Sequence, residues 1–319
     1  MESNLMGKIG EVVFSTGLNV LAACYSYQPR KIQLILGNLL GSFLHLIRFR
    51  LSVVRQNLKS MGAYKPQLIV QEASLLKASY RHLGCLCLEI LMLFGPKNTM
   101  KKFLLKYSEV QGAEQANAAL RQGKGIIFLS SHCGNWEVMA GSGGVLGKWD
   151  IMIVTKKLKP DWLHAQIESG RADCGVQGTY EPKTLKDVLK HLKNNKPVGF
   201  VIDQYSGPPV GVRVPFFGVP VGTALAVAAI AKRTGAAVLP VENYRMPDGN
   251  WIVSIRPPLE WKDHADSAYE LAMNTANYTK EIEDIILAHP EQWLWTHRRF
   301  KGDLSPLREG EWFEGRARS

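Results

Sequence analysis

The sequence predicts an α/β fold: a mostly parallel or mixed central sheet flanked by helices, with an N-terminal all-helical part that associates with membranes. Three observations predict it. Short apolar, β-branched runs recur through the second half of the chain and alternate with helical stretches, the pattern of a parallel sheet with crossover helices. Residues 1 to about 96 carry helical periodicity without strand signals. The apolar stretches of that first part are bordered by Lys and Arg, as suits helices lying where lipid phosphates meet the acyl boundary.

In chain order, Val12 to Tyr27 is apolar but broken by Ser15, Thr16, Gly17 and Asn19. A second apolar-rich stretch, Ile32 to Val54, follows Lys31 and closes among Arg48, Arg50 and Arg55. Neither has a cleavable signal's small-residue exit, and no run of about 18 uninterrupted apolar residues occurs, so they are expected to associate with a membrane, peripherally or as a single N-terminal anchor, with packed helices of a soluble part as the alternative. A third helix is expected from Gln67 to Phe94, stopped by Gly95-Pro96, and a short one over Ala113 to Gln122. Strands are then expected at Gly125–Leu129, Ile151–Thr155, Val198–Ile202, Ala237–Val241 and Trp251–Ile255, with helices near 136–147, 161–173, 183–193 and 223–234. A last long helix spans Ser267 to Ala288 and stops before Pro290. The chain thus divides into a helical region, 1–96, an α/β core, 97–302, and a basic tail, 303–319.

Charge narrows the partners. The 319 residues hold 39 Lys and Arg against 28 Asp and Glu, a formal +11 that favours anionic partners: an anionic membrane surface, an acidic carrier protein or nucleic acid. No arginine-rich stripe or nucleic-acid motif supports the last. The five cysteines (Cys24, Cys85, Cys87, Cys133, Cys174) lack a CxxC pair or a zinc-like spacing, which points to a reducing compartment with no structural disulfide and no metal.

The chemistry concentrates at His132-Cys133-Gly134-Asn135-Trp136-Glu137, directly after the first core strand. Residues five apart on one helix lie roughly 140° apart, so His132 and Glu137 cannot share a helix face. With His132 in the turn at the strand's end, Gly134 permitting a tight backbone and Asn135 capping the next helix, the two side chains can converge. Glu137 would then accept the Nδ1 proton and leave Nε2 as a general base. Ser130 and Ser131 lack the GxSxG elbow, and Cys133, the rival nucleophile, neighbours His132 and points to the other side of the strand end.

Two further blocks stand out. Asp203 and Gln204 end the strand Val198–Ile202 and place polar groups at the sheet edge where His132 falls; a turn-forming Asp is the alternative. Val214-Pro215-Phe216-Phe217-Gly218 reads as a rigid loop whose aromatics wall an apolar slot or fill the core. Near the end, Pro290 to Lys301 sets two tryptophans beside His297, Arg298, Arg299 and Lys301, a candidate phosphate-reading edge, interfacial anchor or solvated rim.

Together, HCGNWE at 132–137, the strand ending in Asp203-Gln204, VPFFG at 214–218 with Thr223, and PEQWLWTHRRFK at 290–301 resemble the lipid A biosynthesis lauroyl/myristoyl acyltransferase family, within the wider HxxxxD/E lysophospholipid acyltransferases. The resemblance covers roughly residues 10 to 302. It implies an enzyme at the cytoplasmic face of the bacterial inner membrane, moving a fatty acyl chain from acyl carrier protein to a hydroxyl of a lipid A precursor. It also implies His132 as base, Glu137 as its partner, and Arg171 as an arginine near the site. Relatives acylate other glycolipids, including mannosylated phosphatidylinositols, from acyl-CoA; a non-catalytic lipid binder is the remaining alternative. The expected mechanism is direct attack of the acceptor hydroxyl on the thioester, without an acyl-enzyme or cofactor. Amides of Gly134 and Asn135 would meet the oxyanion, Arg171, Arg298 and Arg299 the acceptor phosphates, and Phe216, Phe217 and Gly218 the chain.

Overall fold

The β-branched runs of the second half form a seven-stranded sheet, and a computed structural model describes residues 2–307, with side chains from residue 10 onward. The basic tail expected at 303–319 lies largely outside the described residues. The helical part comprises α1 (Glu2–Ser26), α2 (Arg30–Leu46), α3 (Leu51–Gly62), α4 (Pro66–Val70) and α5 (Glu72–Ile90), the last continued by a 3₁₀ turn at Leu91–Phe94. The single helix expected from Gln67 to Phe94 is therefore broken at Gln71, between α4 and α5.

The core runs α6 (Thr99–Tyr107), β1 (Ser108–Gln111), α7 (Ala113–Leu120), β2 (Ile126–Ser130), α8 (Trp136–Val145), β3 (Ile151–Val154), α9 (Asp161–Ala172), β4 (Val176–Thr179), α10 (Thr184–Lys193), β5 (Pro197–Val201), β6 (Gly211–Phe216), β7 (Val219–Ala224), α11 (Ala226–Thr234), β8 (Ala237–Arg245), β9 (Trp251–Ile255) and α12 (Ser267–Ala288). Strand order is β1-β9-β8-β2-β5-β3-β4, parallel throughout except for the antiparallel β8–β9 pair. Central β2 is buried along its whole length, as a strand covered by helices on both faces must be. Asn135 caps α8 as its residue type predicts, its side-chain oxygen accepting from the Glu137 and Val138 amides at 3.0 and 3.2 Å.

The segment expected as a loop at Val214–Gly218 is a two-stranded hairpin, β6–β7, that turns at Phe217-Gly218. Both turn residues have positive φ, 51° and 72°, which marks a type I′ hairpin turn. Glu283 on α12 holds the turn by accepting the Phe217 amide at 2.6 Å.

The N-terminal helices share cores with the sheet. Ala22 and Tyr25 of α1 pack in the cluster that contains Ile126, Phe128 and Val138, and Leu58 and Tyr80 pack in the one that contains Leu129 and Phe200. On the outside, α1 and α2 leave large apolar side chains in solvent: Phe14 is 62% exposed, Leu21 60%, Leu39 62% and Leu46 79%. No single described helix is long and apolar enough to cross a membrane; α2 and α3 reach that length only together and meet at 90°.

Candidate active site

Register explains how His132 acquires its partner. In the parallel β2–β5 pair, Ser130 lies opposite Val201, so the residues two positions further on, His132 and Asp203, emerge side by side at the carboxyl edge. His132 Nδ1 lies 2.7 Å from Asp203 Oδ1, while Oδ2 accepts the His132 backbone amide at 2.9 Å and the Trp293 indole N–H at 2.7 Å. Burial alone would raise the Asp203 carboxyl. The electrostatic attraction of His132 and the hydrogen bonds from His132 and Trp293 outweigh it and hold the group below the ordinary aspartate range. An ionised carboxylate only accepts, so the proton sits on Nδ1 and the Nε2 lone pair points away from Asp203.

The expectation that Glu137 receives the Nδ1 proton is corrected by these contacts. Both Glu137 oxygens face the Arg171 guanidinium, Oε1 to Nη2 at 2.6 Å and Oε2 to Nε at 2.9 Å. Arg171 also bonds Glu168 at 2.7 Å, and the two carboxylates, despite burial, raise its basicity. The bidentate pair locks α8 to α9 across the site. Glu137 points along α8 toward α9, whereas Asp203 arrives at the level of His132 on the neighbouring strand.

The amides expected at the oxyanion are also committed. Gly134 N–H donates to the Gln292 carbonyl at 2.9 Å and Asn135 N–H to the Asn243 side-chain oxygen at 2.7 Å. Gly134 has φ of 72°, and a Cβ there would meet Asn243 oxygens at 2.2 Å, so only glycine fits.

Beneath this turn lies an ionic cluster that sequence reasoning missed. Glu89 of α5, fully buried, binds Arg30 of α2 at 2.6 Å and Arg245 of β8 at 2.9 Å, and accepts from the Asn135 side-chain NH2 at 3.2 Å. Burial would push its carboxyl up, but the charges of Arg245 and Arg30 hold it at about 2. His82 contacts the Gly134 carbonyl through Nε2 at 3.1 Å and Arg245 through Nδ1 at 3.3 Å. Burial, reinforced by Arg245, lowers its pKa to about 3, so it stays neutral and donates from Nε2. Only the paired types, Arg with Glu at wide separation, could have hinted at this in the sequence.

Nε2 of His132 opens on a cavity of about 560 Å³ between α8 and the sheet. Its floor draws on six consecutive strands, β1, β9, β8, β2, β5 and β3, through residues such as Val110, Val253, Val241, Phe128, Gly199 and Ile151. At about 4.8 Å per strand the cavity crosses roughly 24 Å of sheet. Its walls are apolar; polar groups gather at Lys156, Glu181, Gln204 and Arg171. Gln204 lies beside His132, its amide nitrogen 3.2 Å from Nε2. Trp136 sets its ring against the imidazole, with centroids 4.9 Å apart.

Several expected residues fall elsewhere. Phe216 and Phe217 are 0% exposed and pack with Trp293, Phe300 and Tyr64, not along the cavity. Gly218 sits in the same turn, against Tyr64. Arg299 is also 0% exposed: it donates to the carbonyls of Gln204 and Gly222 and to Thr223, over the Phe216 ring, so it braces the hairpin and does not line the cavity. Arg298 is exposed. Cys133 turns into the core, 2% exposed, where burial and then Glu291 and Asp203 raise its thiol well above the ordinary value. Ser130 spends its hydroxyl on the Val241 carbonyl at 2.6 Å.

A mostly parallel α/β sheet that sets a histidine paired with an aspartate at the wall of a long apolar cavity has the shape and lining to receive an apolar chain. The chain belongs to the bacterial lipid A biosynthesis acyltransferase family, whose model matches residues 8–302. It is 30% identical over 203 residues to the lipid A biosynthesis lauroyltransferase of Escherichia coli K12, a match spanning 62% of this chain and 63% of that protein. It is 26% identical over 278 residues to the palmitoleoyltransferase of the same organism, spanning 86% of each. A phosphatidylinositol mannoside acyltransferase of Mycobacterium tuberculosis (strain CDC 1551 / Oshkosh) is 27% identical over 206 residues, 63% of each.

Proposed function

We propose that the protein transfers a fatty acyl chain from an acyl thioester to a hydroxyl of a glycolipid, with His132 as general base and no acyl-enzyme. The observation that carries this reading is the pairing of His132 Nδ1 with Asp203, which leaves Nε2 as a lone pair at the wall of the apolar cavity. The acceptor hydroxyl gives its proton to Nε2 as its oxygen attacks the thioester carbon. Asp203 steadies the imidazolium, and the proton passes to the departing thiolate. The acyl chain occupies the cavity, where each buried methylene contributes about 0.8 kcal/mol, so the cavity's length selects among chains. Glu137 acts through Arg171, which it holds at the cavity wall.

The acceptor is a lipid A precursor in this reading, supported by the family model and by the names of the Escherichia coli relatives. The mannoside acyltransferases favour a second reading, another glycolipid acceptor. An acidic acyl carrier protein suits the +11 chain and Lys156 at the cavity; acyl-CoA is the alternative donor. The exposed apolar residues of α1 and α2, bordered by Lys31, Arg48 and Arg50, would lie on the anionic cytoplasmic face of a bacterial inner membrane. Incubating the purified protein with acyl carrier protein and coenzyme A thioesters and a panel of glycolipid acceptors, then weighing the lipids, tests the reading. A product heavier by one acyl group is expected; unchanged lipids with every donor would reject it.

A further inference from the structure

The base in this structure is already occupied. Because Asp203 fixes the proton on Nδ1, the Gln204 side-chain NH2 donates to the His132 Nε2 lone pair across 3.2 Å. A neutral imidazole nitrogen has one lone pair, so the Gln204 amide and a reacting hydroxyl compete for a single site. The contact is built rather than incidental. The Gln204 carbonyl is gripped by buried Arg299 at 2.8 Å, and the preceding Asp203 is fixed by three hydrogen bonds, so only the Gln204 side-chain torsions remain to move. The side chain lines the cavity together with His132 and Ser206, which gives it room to swing.

We infer that Gln204 is a gate on the base: it caps Nε2 while no acceptor is bound, and the acceptor hydroxyl displaces it. The gate suppresses loss of the donor to water, an inference that rests on the acyl-thioester reading above. In the suppressed reaction, water oxygen bonds to the thioester carbon and the carbon–sulfur bond breaks. The water proton passes through Nε2 to the thiolate, leaving free fatty acid and thiol. Gln204 is thus a positioning residue whose removal raises hydrolysis relative to transfer.

The test uses the full chain with Gln204→Met, which keeps an unbranched side chain without a donor, and Gln204→Glu, which places a carboxylate at Nε2. With lauroyl-coenzyme A and no acceptor, Gln204→Met is expected to release thiol about tenfold faster than the native protein, the worth of one neutral hydrogen bond. A capped lone pair is less basic, so the acid limb of its kcat/KM profile moves to higher pH in Gln204→Met and further in Gln204→Glu. The titratable groups that interact with His132, namely Asp203 just after β5 and His297 from the C-terminal segment, are common to all three proteins. A merely structural role would slow hydrolysis and transfer together and leave the limb in place, which would overturn the gate. The imidazole ¹⁵N spectrum of the unliganded protein separates the two readings. An Nε2 resonance unmoved by Gln204→Met refutes the cap. A moved resonance with no thioester consumed by any variant, with or without acceptor, refutes acyl transfer instead.

Discussion

Replacing Asp203 by Asn tests the His–Asp pairing at the cost of one charge and no volume. Asp203 accepts three hydrogen bonds, at 2.7, 2.9 and 2.7 Å. An Asn carbonyl can serve the His132 backbone amide and Trp293, but its NH2 then faces Nδ1–H, donor against donor. The imidazole escapes by moving its proton to Nε2, which turns the proposed base into a donor. General acid–base catalysis contributes about 10²–10⁴-fold. With the wrong tautomer favoured and the imidazolium unsupported, Asp203→Asn should fall at the upper end, about 10³–10⁴-fold in kcat, or roughly 4–5 kcal/mol of barrier. The assay is acyl transfer by lipid mass spectrometry, alongside circular dichroism to verify the fold and imidazole ¹⁵N shifts to read the tautomer. The native protein and Glu137→Gln should both be protonated on Nδ1, and Asp203→Asn on Nε2. A tautomer switch in Glu137→Gln but not in Asp203→Asn, or near-native turnover in Asp203→Asn, would refute the reasoning.

Other predictions follow from the surrounding contacts. Glu89→Gln strands the buried guanidinia of Arg30 and Arg245 and should cost about 3–5 kcal/mol in urea unfolding. Because Glu89 is held at about 2, below the ordinary carboxylate near 4.3, its stabilisation is complete above that ordinary value and lost as pH falls toward 2; the acid limb of the native stability profile should flatten in the variant. Cys133→Ala should keep transfer within about threefold, since the thiol is buried and protonated; an acyl-cysteine trapped by intact mass would contradict this. Gly143→Ala, whose Cβ would meet Ile151 Cδ1 at 2.5 Å and so push that side chain within the cavity lining, should shift products toward shorter chains, by about fourfold per excluded methylene in competition assays.

The sequence was most legible where local pattern decides. Trp251–Ile255 and Ser267–Ala288 form as periodicity predicts, and Asn135 caps α8. Four-residue edge strands such as Ser108–Gln111 and Val176–Thr179 are too short and polar to show alternation. The β6–β7 hairpin was obscured by Pro215 and Pro220 and by a phenylalanine in a turn that usually takes Asn or Gly. His132 and Asp203 were both visible as strand-end residues, yet their pairing depends on β2 and β5 being neighbours in register, a tertiary fact. Glu137 was assigned to the wrong partner for the same reason, since Arg171 lies 34 residues away on α9. Arg299 read as an exposed phosphate ligand because nothing local distinguishes it from exposed Arg298; the Gln204 and Gly222 carbonyls that bury it come from other elements.

The central claim, direct acyl transfer by an oriented imidazole, is tested most directly by comparing the native protein with His132→Ala in single-turnover reactions with acyl carrier protein or coenzyme A thioesters and glycolipid acceptor, following both lipid and protein masses. Acylated lipid should form with the native protein without any acyl adduct on the chain, and at least about a hundredfold more slowly with folded His132→Ala. A folded His132→Ala protein that turns over near the native rate, or a native protein that carries the acyl group covalently before the lipid does, would contradict it.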